Sequence, residues 1–289
     1  MESSPVRNRL MLAAAALLFS TGGAAIKAAT LTSWQVASFR SGVAAMFLLA
    51  ALPEARRGWS WRIVPAATAY AATLVLFVLA NRLTTSANAI FLQSTAPLYL
   101  LLLGPWLLRE PVRRADWICI LAVAIGLVLI FMGAPAVAVT APDPGRGNLI
   151  ATGAGLTWAL TLAGLRWLAR AGDRNSAMAT VAAGNLIGFL VALPMALPVD
   201  AAGAGSIAVV VYLGVVQIGL AYVLVTRAMR HVAAFEATTV LLLEPAMNPV
   251  WAWLVHGERP GPWALAGGGV ILMATLGNTW RQAHAPRVA

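Results

Sequence analysis

The sequence has few of the residues that soluble proteins carry on their surfaces. Only 10% of its 289 residues are Asp, Glu, Lys or Arg, whereas 60% are hydrophobic. So little polar surface cannot cover a water-soluble globule. The single cysteine, Cys119, cannot form an internal disulfide, and the three histidines lack the Cys and His spacing of a metal site. The composition therefore excludes an ordinary soluble enzyme, and it predicts no metal, no cofactor and no catalytic residues.

The positive charge of the chain is carried almost entirely by arginine. The formal net charge is +10, and Lys27 is the only lysine. In a soluble protein this excess would suggest a nucleic-acid partner, but most of the arginines lie in the gaps between apolar runs. Charges at the ends of membrane spans set orientation. The sequence therefore predicts a membrane protein without a nucleic-acid partner.

Ten apolar runs are each about long enough to cross a bilayer, which takes about 20 residues of helix. The fold class predicted is an all-α integral membrane protein with ten transmembrane helices, surrounded by membrane lipid. The predicted spans are Leu10 to Ala29, Trp34 to Pro53, Ile63 to Ala80, Ala87 to Leu108, Trp117 to Gly133, Asn148 to Leu168, Ala177 to Leu197, Ser206 to Thr226, Ala233 to Val255 and Trp263 to Trp280.

The arginines divide unequally between the two sides of this topology. Fourteen fall in the gaps on the side of the N-terminus, and three fall on the other side: Arg82, Arg146 and Arg259. Because basic residues are retained in the cytoplasm, we expect the N- and C-termini to be cytoplasmic. High Ala and Arg usage with almost no Lys suggests a GC-rich bacterial genome. The expected location is the bacterial cytoplasmic (inner) membrane.

The second half of the chain repeats the pattern of the first. The halves, residues 1–138 and 139–289, are predicted to be two five-helix units joined by the linker 134–147. Five is odd, so the second unit enters the membrane from the opposite side, as in the inverted repeats of secondary transporters. A shift of 148 residues superposes Val75 on Val223, Leu76 on Leu224, Ala80 on Ala228, Arg82 on Arg230, Ala89 on Ala237, Pro97 on Pro245 and Glu110 on Glu258.

Both halves resemble a known family. The stretch 86–130, with Pro97 in its first helix and Glu110 at the end of that helix, resembles the EamA repeat of the drug/metabolite transporter superfamily. In the second copy, Leu-Glu-Pro at 243–245 and Gly-Glu at 257–258 are similar to the pattern of the family's second repeat. The resemblance implies a ten-helix transporter of amino acids or other small metabolites. The family includes exporters and importers.

Glu244 is the deepest charged side chain in the predicted spans. It lies 11 residues past Ala233, about 17 Å along the helix at about 1.5 Å per residue. A charged side chain at the bilayer centre costs about 2.5–3.5 kcal/mol on insertion scales, so its presence needs an explanation. Glu244 is a candidate site for a substrate amine or, by taking up a proton, for proton coupling. A buried salt bridge between helices is the alternative.

Two corresponding spans carry central prolines. Pro97 and Pro245 lack backbone donors and leave helix carbonyls free, which breaks or kinks the helix. Broken helices in equivalent spans of two repeats point to the binding region of a transporter. We therefore place Gln93, Pro97 and Pro245 in the substrate pathway, together with Asn248, which shares a helix face with Glu244. A kink set by packing alone is the alternative.

Two cations lie within spans in the outer part of the membrane. Lys27 and Arg40 can offer positive charge to a substrate carboxylate or pair with Glu244. Lys27 is close to the end of its helix and is expected to extend its ammonium group to the interface, whereas Arg40 is expected in the interior. Three aromatic side chains are candidate walls for a partly apolar substrate, with packing against lipid or core as the alternative for each: Tyr99, Trp158 and Tyr222.

These features predict a secondary active transporter that exports a small organic metabolite, such as an amino acid or a derivative, by alternating access. No Walker-type sequence is present, so the chain itself does not hydrolyse ATP. Proton entry through Glu244 is the coupling hypothesis. The alternatives are an importer of a vitamin- or nucleotide-like metabolite, a membrane enzyme acting on a lipid-linked substrate, and a channel or scaffold. An enzyme would need clustered His, Asp or Glu at a membrane edge, which the sequence does not show.

Overall fold

The fold is built from helices that follow the apolar runs of the sequence. The structure, a computed structural model, describes residues 5–109, 116–133, 137–171, 176–199, 202–229, 231–232 and 234–284. Within these ranges the chain is helical apart from short connections, and its only β pairing is an isolated bridge between Ala138 and Ala141. The predicted all-α class is thus confirmed for the described part of the chain.

The described part of the first half contains seven α-helices. The start of the third is fixed by a capping box, in which Thr32 and Gln35 each satisfy a backbone N–H of the other. Two short 3₁₀ turns, Pro53–Arg56 and Trp61–Ile63, lead from the third helix to the fourth. The helices are α1 (Pro5–Ser20), α2 (Gly22–Ala28), α3 (Ser33–Ala51), α4 (Val64–Leu83), α5 (Ser86–Gln93), α6 (Ala96–Leu107) and α7 (Asp116–Met132).

Seven α-helices are also found among the described residues of the second half. A π-helical segment, Tyr212–Leu220, joins α10 to α11 without interrupting the rod. Gly257 ends α13 with φ of 66°, a left-handed conformation that glycine adopts without steric cost. The helices are α8 (Pro144–Arg170), α9 (Ser176–Ala196), α10 (Ala204–Val211), α11 (Ala221–Ala228), α12 (Ala234–Leu241), α13 (Leu243–His256) and α14 (Pro262–His284).

Seven stretches of the described chain are long and apolar enough to cross a membrane by themselves. Helix α7 is apolar but shorter, and α12, α13 and α14 are not among the seven. All ten predicted spans are occupied by helix, but ten crossings and an inverted arrangement stay predictions. The seven stretches are Val6–Ala28, Ser33–Ala51, Trp61–Leu83, Ser86–Leu107, Pro144–Arg170, Ser176–Ala196 and Ala204–Ala228.

Contacts between helix ends define two faces of the bundle. At the end that holds the chain's N-terminus, here called the N-terminal face, Arg281 pairs with Asp116. At the other end, here called the opposite face, the hydroxyl groups of Thr30 and Ser206 lie 2.7 Å apart.

Two helical rods are interrupted at corresponding places. α5 and α6 are separated by a turn at Ser94 and Thr95, and α12 and α13 by a turn at Leu242. A shift of 148 residues relates Ser94 to Leu242, and each turn lies just before a proline predicted to break its helix, Pro97 or Pro245. The predicted breaks in equivalent spans are confirmed.

Small residues allow the helices to pack closely near the middle of the bundle. A Cβ atom on Gly184 of α9 would lie 2.6 Å from Cδ1 of Tyr70 and 2.8 Å from the carbonyl oxygen of Ala67, both on α4. Glycine is therefore required for α9 to lie against α4 at this point. This close approach brings Tyr70 next to the adjacent residue, Asn185.

Candidate functional site

Polar and aromatic side chains from seven spans meet between the two faces of the bundle. This group is called the central cluster. Its members are separated in sequence by as many as 225 residues, from the first span to the ninth. The central cluster consists of Phe19, Arg40, Tyr70, Trp158, Asn185, Tyr222 and Glu244.

Aromatic rings form the body of the central cluster. The ring centroids of Tyr70 and Trp158 are 6.1 Å apart, and those of Tyr70 and Tyr222 are 6.3 Å apart with an edge-to-face geometry. Phe19 contacts Tyr222 edge to face, with centroids 5.3 Å apart. These distances lie in the range of favourable aromatic pairs. Trp158 and Tyr222 were predicted as walls, and both are partly exposed within the bundle.

Arg40 lies on one side of this aromatic group. Its side chain is 1% exposed, as expected for an interior residue. One Nη atom donates to the carbonyl oxygen of Leu74 at 2.8 Å, and Nε has no hydrogen-bond acceptor. No carboxylate among the described residues pairs with Arg40. The guanidinium group of Arg40 interacts electrostatically with Tyr70. A buried cation without a counter-ion is costly, which favours an anionic ligand beside it.

Glu244 lies near the middle of the ninth span, immediately after the helix break at Leu242. It belongs to the first turn of α13, where free backbone N–H groups favour a negative charge. Its carboxyl group is close enough to interact electrostatically with Tyr70 and Tyr222. No described Lys or Arg forms an ion pair with it, so the alternative of a salt bridge between helices finds no partner. Part of its surface remains accessible.

Lys27 does not lie where the sequence predicted. Its ammonium group does not extend to the interface but lies 2.8 Å from the carboxylate of Glu258, and the two side chains are 5% and 4% exposed. It also donates to the carbonyl oxygens of Thr84, at 2.8 Å, and of Thr140. The suggested pairing of Lys27 with Glu244 is wrong, because Glu258 and these carbonyls occupy the ammonium group at the opposite face.

Glu258 extends this contact into a larger polar closure of the opposite face. Its other carboxylate oxygen accepts the backbone N–H of Ser86, at the start of α5, at 2.5 Å. Nearby, Asn148 of the second half accepts hydrogen bonds from Thr84 at 2.7 Å and from Asn88 at 3.1 Å. These contacts join the two halves of the chain where the sequence analysis had placed the outer side.

The remaining predicted pathway residues lie along the two broken helices. Gln93, Pro97 and Tyr99 are partly exposed beside the break between α5 and α6, and no ring contact joins Tyr99 to the central cluster within the described chain. Pro245 and Asn248 are buried on α13, and neither amide atom of Asn248 has a hydrogen-bond partner. Glu110, the counterpart of Glu258 in the repeat, lies outside the described residues.

Three members of the central cluster were not predicted as site residues. Tyr70 and Asn185 are neighbours across α4 and α9, and Phe19 contacts Tyr222. The chain contains only four tyrosines, so a tyrosine or an asparagine in the middle of an apolar span was a usable signal. Which of these side chains share one site depends on helix packing, which the sequence does not display.

The sequence and the fold are each similar to those of known proteins. The sequence model described as the EamA-like transporter family matches residues 8–132 and 145–280. No curated protein matches the chain. One solved crystal structure is similar with a TM-score of 0.61 and 19% sequence identity, over 96% of this chain and 99% of the other, a likeness that concerns the fold alone. The two family matches span most of the sequence and include both broken helices, so this multi-pass membrane protein belongs to the EamA-like transporter family of the drug/metabolite transporter superfamily.

Proposed function

We propose that the protein is a secondary transporter that exports a small zwitterionic metabolite, such as an amino acid or a derivative, across the bacterial cytoplasmic membrane. The observation that carries the proposal is the central cluster, which holds a buried cation and a buried carboxyl group without ion-pair partners in the described chain. Arg40 and Glu244 lie on different helices with aromatic rings between them. A cationic group on one side of the site and a carboxyl group on the other suit a substrate that carries both a carboxylate and an amine.

The substrate chemistry follows from the lining. Arg40 favours a carboxylate, because a guanidinium group can donate several hydrogen bonds to it. Glu244 suits an amine, and the faces of Trp158 and Tyr222 suit an apolar or aromatic side chain. A buried site that is satisfied only by the correct polar groups rejects analogues that lack them.

The architecture proposed is two inverted five-helix units, residues 1–138 and 139–289, which together cross the membrane ten times with both termini in the cytoplasm. The central cluster lies where inverted-repeat transporters hold their substrates, near the midplane between the repeats. The polar closure around Lys27 and Glu258 lies on the proposed outer side. A closed outer side is the state in which an exporter takes up its substrate from the cytoplasm.

Coupling to protons is assigned to Glu244. A carboxyl group that faces an internal site can bind a proton or a substrate amine, but not both at once. Proton entry would then drive substrate exit, with Glu244 alternating between the two partners. Because the helix is broken at Leu242, the backbone next to Glu244 can rearrange when the transporter changes conformation.

The test is metabolite profiling of cells that overproduce the protein, compared with cells that overproduce Glu244→Gln. We expect one zwitterionic compound to accumulate in the medium with the wild type, and its export rate to fall by at least about tenfold in the variant, the loss expected when one charged contact to the substrate is removed. Glu236→Gln is the matched control, because Glu236 pairs with Arg9 and is partly exposed, away from the central cluster.

Export by Glu244→Gln that equals the wild type at every pH tested, at equal abundance in the membrane, would contradict the assigned role of Glu244. Accumulation inside the cells instead of outside would reverse the proposed direction. An unchanged metabolite profile with correctly folded protein would contradict the export function itself.

A further inference from the structure

A cavity of about 400 Å³ opens at the N-terminal face, between α1 and α11. It is separate from the central cluster and shares no residue with it. Its lining includes no Asp or Glu of the described chain. The five lining residues are Arg7, Asn8, Met11, Arg227 and His231.

The cavity has a positive charge that no acidic group among the described residues is seen to neutralise. Arg7 and Arg227 contribute two permanent charges, and both are exposed, as is His231. The nearest acid described on the adjoining helix, Glu236, is already paired with Arg9. A concave wall with charges of one sign concentrates ions of the opposite sign.

The position of the cavity connects it with the central cluster. Met11 lies eight residues before Phe19 on the first span, about 12 Å along the helix, and Arg227 lies five residues after Tyr222, about 7.5 Å. Phe19 and Tyr222 contact each other edge to face. The same pair of helices therefore forms the cavity at the surface and an aromatic wall of the central cluster below it.

We propose that this cavity is an anion-binding vestibule, which binds the carboxylate or phosphate group of a small metabolite before the metabolite passes to the central cluster. Arg7 and Arg227 hold the anion by charge-assisted hydrogen bonds, and His231 adds a polar contact. Its role in loading rests on the proposed transport function. Its binding of anions rests on the cavity alone.

The test measures local charge without a known substrate. Met11→Cys is made in a Cys119→Ser background and purified into nanodiscs of neutral phosphatidylcholine. We compare the rates of thiol modification by a negatively charged sulfonatoethyl and a positively charged trimethylammonioethyl methanethiosulfonate. The negative reagent should react faster than the positive one by about tenfold at low salt, and added inorganic phosphate should slow its reaction.

Substitution of the arginines should remove this preference. Arg7→Gln and Arg227→Gln should each lower the rate of the negative reagent about two- to threefold, as expected for one charge about 8 Å away in a largely aqueous setting. Arg57→Gln is the matched control, because Arg57 is exposed on the same face but outside the cavity lining. It should leave the rate unchanged.

A second arm identifies the source of the anion. Protection by phosphate in neutral discs supports a free metabolite, whereas protection that appears only when phosphatidylglycerol is present supports a lipid headgroup and overturns the loading role. Equal rates for the two reagents, or rates unaffected by either arginine substitution, would overturn the anion site. Charge preference that persists in a protein with no detectable export would remove the proposed function and leave this site standing.

Discussion

Arg40 is the largest of the side chains that are fully buried in the described chain. Its surroundings satisfy only part of its hydrogen-bonding capacity, through the carbonyl oxygen of Leu74. Glu244, across Tyr70 and Tyr222, likewise has no ion-pair partner among the residues that the structure describes. A buried guanidinium group and a nearby carboxyl group, neither with an ion-pair partner in the described chain, favour a ligand that satisfies both.

Replacement of Arg40 should weaken substrate binding without preventing the protein from folding. In Arg40→Met the charge is lost while an unbranched side chain still fills the space, so we expect the protein to remain folded and its apparent affinity for the exported zwitterion to fall about 10- to 100-fold. Arg40→Lys should recover part of that affinity. Melting temperature in detergent and the concentration dependence of transport in proteoliposomes measure the two effects, and an unchanged concentration dependence in Arg40→Met would contradict its role.

Depth along a span singled out Glu244 in the sequence, because a charge far from both helix ends needs an interior partner or a ligand. Arg40 lies nearer the outer end of its span, and its burial in the bundle agrees with the expected interior position. Depth was not enough for Lys27. Near a helix end, a lysine can reach the interface or a buried carboxylate, and Glu258 lies 231 residues away in the sequence. Tyr70 and Asn185 were missed because either side chain can also pack inside a bundle without binding anything.

The broken helices show what the sequence determines at the scale of an element. Pro97 and Pro245 each follow a break in their span, and because proline removes a backbone donor both breaks could be predicted. Pro105 and Pro249 lie inside α6 and α13 without interrupting them, so a proline alone does not fix where a helix breaks. The π-helical segment Tyr212–Leu220 contains no proline and was not predicted. Such a segment arises when neighbouring helices favour an extra residue in one turn, and this depends on tertiary packing.

The contact between Lys27 and Glu258 joins α2 to the segment after α13, and through Ser86 to α5. Glu258→Gln leaves the ammonium group buried without a counter-ion, which costs about 3–5 kcal/mol in comparable buried pairs. We therefore expect this variant to open the opposite face more often. A cysteine in place of Asn81, which is buried just below this contact, should react with an impermeant thiol reagent at least about tenfold faster, given that free energy.

Two comparisons make this result specific. Arg259→Gln changes the neighbouring exposed residue on the same face and should leave the reaction rate at Asn81→Cys unchanged. The exchange of Lys27→Glu with Glu258→Lys restores opposite charges and should restore part of the protection. Continued protection in Glu258→Gln would show that the ion pair does not hold this face closed.

At the scale of the whole molecule, polar contacts join the halves of the chain at both faces, such as that of Arg281 with Asp116 at the N-terminal face. The opposite face is closed by buried polar contacts between the halves, among them that of Asn148 with Thr84. The N-terminal face contains the cavity lined by Arg7 and Arg227. The distribution of arginines predicted the orientation of the chain, but not which face is closed, because the conformations of a transporter share one sequence and one topology.

The orientation is tested with single cysteines in intact cells, in a Cys119→Ser background. Val139 is fully exposed in the connection between the halves, on the opposite face, and Arg57 is exposed on the N-terminal face after α3. Because the arginine-rich side is retained in the cytoplasm, Val139→Cys should react with an impermeant thiol reagent from outside, and Arg57→Cys should react only after the membrane is permeabilised. Labelling of both in permeabilised cells is the control for folding and access. The reverse pattern would place the termini outside, and the cavity would then face the exterior, so that its anion would be met on entry and the proposed export would become uptake.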